Sequence, residues 1–446
     1  MKEATLDEPP QPQEALALNE TNQVEEDNKL FKNKNFNWLW IGGAASFLGD
    51  NATLIAFPWL VLTMTTESWV LGAVLALMGL PRAIFIFVGG AIVDRFSSKS
   101  VLLYSKYANA VLLLSLAGLI YLEQLTINLL YLYAFLIGVG SAFALPAGSS
   151  ILPSVVQRQQ LEQANGVFFI LHKVTMFLGP VLAGILLGSS EAPAELMSEI
   201  TKQETLHALS ILLALDGATF VLSAITLLQV TCKEKEKANT NHNLLKSIVM
   251  GFSYFWNLPQ LRAVIVYIAI VNAIVGGLIL VGLPILVKQQ LNAGGDIFGY
   301  LMGANGLGTV LGLILAGKKP QIGTLSLGVT FLFADLVLGI LLAALYGVTS
   351  HQAAYTLLFA AGILAGYIHL AVYTWVQKQP RPDMLGRVMA IMMFTAMGIP
   401  PLASALYGFV LNHAGIDLVF LASGFILIAV ALVGLTSPQL KTVERD

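Results

Sequence analysis

Three ionisable side chains interrupt long apolar stretches of this chain: Asp50, Arg82 and Lys173. A charge near the middle of a bilayer is costly and usually faces a partner or a water-filled space, so each is a candidate functional residue. Asp50 follows Trp38 by 12 residues and Arg82 precedes Asp94 by 12, which places both about 18 Å from one side of the membrane. We therefore expect Asp50 and Arg82 to pair. Two roles stay open for Asp50: structural partner of Arg82, or proton carrier, a role that pairing with a cation opposes.

Lys173 lies seven residues after Gly166 and seven before Pro180, so the three share one face of a helix. One interpretation is an ammonium at the edge of a cavity, where it meets an anionic group of a substrate or a carboxylate. The other is a long side chain that extends to the membrane surface.

Other polar side chains in apolar stretches are open to two interpretations, a hydrogen bond between helices or a contact with a ligand. They are Asn272, Asn305 and His369. For two further carboxylates, Asp216 and Asp335, we expect a hydrogen-bonded structural role.

Membrane-spanning helices must position these residues. The chain has 446 residues, of which 56% are hydrophobic and 11% charged, whereas a soluble domain has about 25% charged residues. Apolar stretches recur at close to the roughly 20 residues that cross a bilayer as a helix. The predicted spans are 36–64, 69–93, 100–122, 127–152, 165–188, 206–230, 262–287, 296–316, 322–346, 352–376, 386–411 and 416–435.

Positive charge is distributed unevenly along the predicted spans. Of the 24 Lys and Arg residues, 20, including Lys106, are counted on one side, and the other four are Arg82, Lys173, Lys202 and Lys288. Lys and Arg accumulate on the cytoplasmic side of membrane proteins. We predict a multi-pass membrane protein with both termini in the cytoplasm.

The longest polar interruption inside the membrane region separates two sets of six spans. It begins at Lys233-Glu-Lys-Glu-Lys237 and continues into an amphipathic segment, interpreted as a stiff connector. We predict an all-α membrane protein with twelve transmembrane helices in two pseudo-symmetric six-helix bundles, in which substrate binds between the halves. The predicted parts are a disordered cytoplasmic tail at 1–35, an N-terminal bundle at 36–230, a cytoplasmic linker with an amphipathic helix at 231–261, a C-terminal bundle at 262–435 and a cytoplasmic tail at 436–446.

The segment Gly90-Ala-Ile-Val-Asp94-Arg95-Phe-Ser-Ser-Lys99 resembles the loop-two signature of the major facilitator superfamily, with Ser97 where that family usually has glycine. The resemblance implies the fold above and a gating role for Gly90, Asp94, Arg95 and Lys99, whose charged hydrogen bonds would hold one conformation until transport breaks them. The alternative is that Arg95 and Lys99 only set membrane orientation.

Span five carries Gly166, Gly179, Pro180 and Gly184, which is similar to the glycine motif of exporters in that superfamily. The resemblance implies export by antiport and a conformational role for these four residues. Small side chains allow close helix packing and proline bends a helix, so ordinary packing is the alternative.

Three further segments resemble the macrolide-efflux and enterobactin-exporter-like branch: Phe47-Leu-Gly-Asp50, Ala142 to Pro146, and Leu385-Gly-Arg-Val388. Ile137 stands where that branch carries an arginine, so no proton-coupling role is transferred to this position. The resemblance implies proton-coupled efflux of a hydrophobic or amphipathic small molecule, such as a drug, a macrolide-like compound or a siderophore, by alternating access.

Metal-binding and phosphate-binding motifs of enzymes are absent from the sequence. We therefore expect a protein that is not an enzyme and that has no cofactor and no metal site. The expected partners are membrane lipid, a small-molecule substrate and protons; we expect a monomer and no nucleic-acid binding. The alternatives are an inward-directed carrier or a lysolipid flippase on the same fold, and a non-transporting membrane scaffold or sensor.

Overall fold

The computed structural model describes residues 30–188, 199–232, 244–318, 325–381 and 384–443; the side chains of 86–95, 145, 199–201 and 244–249 are not part of that description. Most of the predicted N-terminal tail and the charged part of the predicted linker therefore lie outside the described residues. The side chains of Asp94 and Arg95 also lie outside that description. The backbone of Gly90, Asp94 and Arg95 continues the second helix.

Twelve helical spans run through the described residues, which contain no strand. Eleven are long and apolar enough to cross a membrane, and the ninth is a shorter apolar helix. The expected all-α fold class is confirmed. The spans are span 1 Lys34–Met64, span 2 Ser68–Arg95, span 3 Ser98–Tyr121, span 4 Ile127–Ala142 with Ala144–Val155, span 5 Leu161–Gly188, span 6 Glu199–Gln229, span 7 Pro259–Val271 with Asn272–Gly276 and Gly277–Gln289, span 8 Gly295–Lys318, span 9 Leu327–Ala343, span 10 His351–Lys378, span 11 Leu385–Met397 with Ile399–His413, and span 12 Ile416–Thr436.

Shorter helical elements complete the described chain. A helix at Leu244–Trp256 occupies the amphipathic part of the predicted linker and stands between the two sets of six spans. The others are at Leu30–Lys32, Arg158–Gln160 and Pro438–Lys441.

Polar side chains mark where spans begin. The Asn33 side chain accepts hydrogen bonds from the backbone N–H groups of Asn35 and Phe36 at 3.0 and 3.2 Å. Thr126 accepts one from the N–H of Leu129 at 3.3 Å. The first N–H groups of a helix have no partner within the helix, so these caps stabilise the starts of spans 1 and 4.

Three spans are interrupted along their length. Span 4 breaks at Phe143, span 7 contains a π-turn at Asn272–Gly276, and span 11 breaks at Gly398, just before Pro400 and Pro401. Proline has no N–H to continue the helix, and π-turns inside helices often accompany functional sites. The interruptions are places where these spans can bend.

The two sets of six spans touch along spans 5 and 8 and along spans 2 and 11. A methyl group added to Gly299 would lie 2.6 Å from the Cα atom of Gly184, so these two helices touch through their backbones. Across the other contact, the Ser404 hydroxyl donates to the carbonyl of Gly72 at 3.2 Å. We call the end of the bundle that holds these contacts the far side.

The opposite end holds both ends of the described chain, and we call it the terminal side. Here the hydrogen bonds join elements of the same half: Asn35 with Thr231 at 2.8 Å, and Gln260 with the carbonyl of Thr442 at 3.0 Å. The close approaches between spans 5 and 8 extend from the far side only as deep as Gly306. Between spans 5 and 8, the space between the halves therefore opens toward the terminal side.

Candidate functional site

A buried lysine stands at the centre of a group of charges in the N-terminal half. Lys106 of span 3 is 7% exposed, and its ammonium donates to the Ser46 hydroxyl of span 1 at 2.7 Å. The ammonium also lies 4.7 Å from the centre of the Phe220 ring of span 6 and interacts electrostatically with Asp50 and Asp216. Lys106 thus joins three spans.

Lys106 is the functional candidate that the sequence analysis misplaced. It was counted with the basic residues of one membrane face, whereas it lies eight residues after Ser98, about 12 Å inside span 3. The signal was present, because Lys106 falls inside the predicted third span. Because Lys106 is buried inside span 3, the basic residues on that membrane face number one fewer than the sequence analysis expected.

Asp50 and Arg82 interact electrostatically, but they do not form the direct pair that the depth argument predicted. Asp50 interacts electrostatically with Lys106 and with Arg82. Among the described residues, Asp50 and Arg82 form no direct ion pair and act through space. The Asp50 side chain is exposed although it is deep inside span 1, and it faces cations of spans 2 and 3.

Asp216 is the shielded carboxylate of the same group. It is 1% exposed on span 6, and it accepts hydrogen bonds from the hydroxyl of Thr53 and from that of Thr219, the latter at 3.2 Å. It also interacts electrostatically with Asp50 and Lys106. The expected hydrogen bonds of Asp216 are present. The sequence did not predict its electrostatic interaction with Lys106.

We call Asp50, Arg82, Lys106 and Asp216 the charged cluster. With two carboxylates and two cations it is neutral overall when all four groups are ionised. The Asp50 side chain is exposed, whereas that of Asp216 is buried. A proton bound at Asp50 would leave the cluster with one excess positive charge and weaken the attraction between spans 1, 2 and 3. The arrangement can therefore convert protonation into a change in helix attraction.

Lys173 and His369 come from different halves and interact electrostatically. Lys173 of span 5 is half-buried, with its ammonium 5.5 Å from the centre of the Phe169 ring. His369 of span 10 interacts electrostatically with Lys173, and its ring stacks on Tyr373 at 5.7 Å. The structure thus brings together two residues that the sequence proposed separately.

Other predicted site residues have local partners. Asn305 donates to the carbonyl of Leu358 at 3.1 Å and ties span 8 to span 10. The Lys99 ammonium donates to the carbonyl of Val230 at 2.7 Å, at the end of span 6, where a cation is favourable. Asn272 begins the π-turn of span 7 and is half-buried. The gating role of Lys99 and the ligand roles of the two asparagines stay predictions.

The glycine motif of span 5 divides into two parts. A methyl group on Gly179 would lie 2.6 Å from the Cβ atom of Asn51 in span 1, and Pro180 and Gly184 contact span 8. By contrast, a methyl group on Gly166 would meet no atom within 4 Å. One face of span 5 carries Gly166, Lys173 and Pro180. Its Gly166 end meets no neighbouring atom, and its Pro180 end packs against span 8 on the far side.

A second buried carboxyl lies in the C-terminal half. Asp335 of span 9 is 1% exposed and accepts a hydrogen bond from the Tyr267 hydroxyl of span 7 at 2.9 Å. Its other oxygen, Oδ1, is buried without a partner in the described structure. The expected structural hydrogen bond is present.

A helical membrane protein whose two halves enclose a polar space open at one end has the architecture of a secondary transporter. The chain belongs to the Major Facilitator Superfamily, whose sequence profile matches residues 39–404. The predicted resemblance is confirmed, and the chain belongs to a family of transporters rather than of enzymes.

Named relatives include two exporters. The chain is 25% identical over 409 residues to the multidrug efflux pump Tap of Mycolicibacterium fortuitum, covering 89% of this chain and 94% of that protein. It is 23% identical over 353 residues to the enterobactin exporter EntS of Shigella boydii, covering 75% of each.

Solved structures share the fold. The nucleoside transporter NupG matches with a TM-score of 0.68 at 13% identity, covering 90% of this chain and 98% of that one. A bacterial homologue of the lysosomal transporter Spinster matches with a TM-score of 0.64 at 16% identity, covering 92% and 93%.

Proposed function

We propose that this transporter exports a hydrophobic or amphipathic small molecule in exchange for protons, by alternating access. The observation that carries the proposal is Asp50, an exposed carboxylate deep inside span 1 that interacts electrostatically with Arg82 and Lys106. The outward direction is supported by the relatives described as an efflux pump and an exporter.

We place the terminal side in the cytoplasm of a bacterium, with both termini there and the protein acting as a monomer. The excess of Lys and Arg on that side supports the orientation. In this orientation the space between the proposed bundles, 36–230 and 262–435, opens to the cytoplasm. Cargo would enter from the cytoplasm or from the adjacent leaflet.

Proton binding at Asp50 supplies the driving step. In the far-side-open state, Asp50 takes up a proton and loosens the attraction among spans 1, 2 and 3. After the return to the terminal-side-open state, release of the proton restores the neutral charged cluster. Each state is favoured by a different protonation of one residue, which is what coupling requires.

An efflux assay tests this proposal. Cells without their own pumps would be loaded with fluorescent dyes, macrolides or catecholate siderophores, with and without the protein and an uncoupler. We expect lower accumulation with the protein, and loss of the difference with the uncoupler. Asp50→Asn should abolish concentrative efflux because it cannot exchange a proton, whereas Glu204→Gln, an exposed carboxylate of span 6, should not.

The other outcomes separate the alternatives. Higher accumulation with the protein would indicate an inward-directed carrier, and movement of lysolipid alone would indicate a flippase. Failure of every substrate to move in reconstituted vesicles would indicate a scaffold or sensor. Normal coupled efflux by Asp50→Asn would remove Asp50 from the mechanism.

Alternating access predicts that the far-side contact must open. Gly299→Val inserts a side chain against Gly184 and should destabilise that contact by about 1–3 kcal/mol. We expect a shift of about 5- to 150-fold toward the far-side-open state, measured by spin-label distances between spans 5 and 8. Gly317→Val is the matched control on the same span, where an added methyl group meets no atom within 4 Å. Equal distances in both variants would contradict the proposal.

A further inference from the structure

Lys173 and His369 bring basic side chains from opposite halves to a similar depth. Lys173 follows Leu161 by 12 residues and His369 precedes Lys378 by nine, so both lie about 14–18 Å from the terminal side. Both helices pack against span 8, where Gly306 approaches Met176 of span 5 and Gly312 approaches Ile363 of span 10. A ligand between Lys173 and His369 would touch both moving parts of the transporter.

The charge of Lys173 has no acidic partner in the described part of the chain. Its ammonium lies over the Phe169 ring, and it interacts electrostatically with His172 and His369. The carboxylates of the charged cluster interact with the cations of that cluster and not with Lys173. A cation at this depth normally has a partner, so the site is complementary to a negative group supplied from outside.

The ammonium of Lys173 lies over a ring that is itself inside span 5. Phe169, which it contacts, is still eight residues inside span 5, about 12 Å from the helix end at Leu161. The snorkelling interpretation of Lys173 is therefore less well supported than the cavity interpretation.

Aromatic rings surround the basic groups. Phe169 is 50% exposed, Tyr373 stacks on His369, and Phe47 contacts the ring of His172 edge to face at 5.4 Å. Ligand sites commonly combine an apolar or aromatic lining with a few polar groups that orient the ligand. Here the lining suits an apolar body and the polar groups suit an anion.

We propose that the cargo is an anionic amphiphile, whose negative group binds between Lys173 and His369 and whose apolar body lies against the neighbouring rings. This inference rests on the proposed function and specifies the charge of its cargo. The bound anion attracts Lys173 of one half and His369 of the other. Without the anion, no electrostatic attraction draws these two basic groups together. Cargo binding therefore favours closure of the terminal side.

Binding to the purified protein in lipid nanodiscs tests the proposal. The probes are dansyl-undecanoate and its methyl ester, which share an apolar body and differ in one negative charge. Because a hydrogen bond to a charged group contributes about 1.5–3 kcal/mol, we expect the carboxylate to bind at least about tenfold more tightly than the ester. Lys173→Gln should remove this preference by weakening carboxylate binding alone, and His369→Gln should reduce it.

The controls separate charge from folding. Lys173→Arg should keep the preference, and Lys202→Gln, which removes an exposed cation from span 6, should leave both affinities unchanged. Equal binding of carboxylate and ester by the wild-type protein would overturn the proposal. So would equal weakening of both probes by Lys173→Gln in a protein whose thermal midpoint matches the wild type.

Transport of the same probes distinguishes this inference from the proposed function. Proton-driven export of the ester without export of the carboxylate would refute the anionic cargo and leave efflux standing. Selective binding of the carboxylate at Lys173, without export of any substrate tried, would refute efflux and leave the anion site standing.

Discussion

Spans 3 and 9 hold the same place in the two halves, and each carries a buried charged residue eight positions after its first residue, Lys106 and Asp335. Their surroundings differ. Lys106 has a hydroxyl partner, an aromatic ring and two carboxylates on neighbouring spans. Asp335 has one tyrosine hydroxyl, and its second oxygen has no partner in the described structure.

The difference shows how a duplicated fold can separate two tasks. A network of several charges can respond to a proton, because each partner's attraction depends on the charge of the others. A single carboxyl enclosed with one tyrosine has no such partners and serves to hold spans 7 and 9 together. We therefore assign the proton response to the N-terminal half and a supporting role to the Asp335–Tyr267 contact.

The largest expected effect is that of Lys106→Met. It leaves the carboxylates of Asp50 and Asp216 without their shared cation, and removing one partner of a buried charge pair costs about 3–5 kcal/mol. Thermal unfolding in detergent would measure the loss, with Lys202→Met as the control at an exposed position. An unchanged midpoint would mean that Lys106 does not hold the charged cluster together.

A smaller effect is expected in the C-terminal half. Tyr267→Phe removes the hydrogen-bond donor of Asp335 and should destabilise the protein by about 1–3 kcal/mol. Adding Asp335→Leu should restore most of the loss, because replacing both partners by apolar groups is nearly neutral. Both variants should export substrate at the wild-type rate per folded molecule. Loss of proton coupling in either one would contradict the division of tasks.

The smallest effects concern two hydrogen bonds that hold the ends of helices together on the terminal side. Lys99 holds the end of span 6 by a charged hydrogen bond to the carbonyl of Val230. Ser326, which precedes span 9, donates a neutral hydrogen bond at 2.6 Å to the carbonyl of Lys441, in the chain after span 12. Lys99→Gln should cost about 0.3–1 kcal/mol at low ionic strength. The cost should fall in about 1 M salt, where charges are screened within about 3 Å.

Ser326→Ala is the comparison for that measurement. It removes a helix cap as well as the bond to Lys441 and should cost about 1 kcal/mol, with little dependence on salt. If salt changed the loss of stability equally in both variants, the charge of Lys99 would not be what stabilises the end of span 6.

Much of the fold was predictable from local properties of the chain. The length of an apolar stretch sets whether a helix can cross a bilayer, and Asn33 and Thr126 mark helix starts. The depth of Asp50 and Arg82 followed from counting residues, and the two interact electrostatically without forming the predicted direct pair. Each of these properties is independent of how the helices pack.

The partners of the charges were less predictable. Spans that are apolar on every face have no polar side to indicate how each helix is rotated about its axis. The sequence therefore did not indicate that Lys106 points at two carboxylates, or that Gly166 faces open space while Gly184 touches span 8. Packing between helices sets those rotations.

By itself the sequence determined a twelve-span membrane protein, the identity and depth of its internal charges, and its resemblance to a transporter family. Only the tertiary structure decided that the Asp50 side chain is exposed while Asp216 is buried, and that Lys173 interacts electrostatically with His369 of the other half. The physical reason is that crossing a bilayer depends on one helix at a time. The environment of a charge depends on the side chains that several helices bring to the same point.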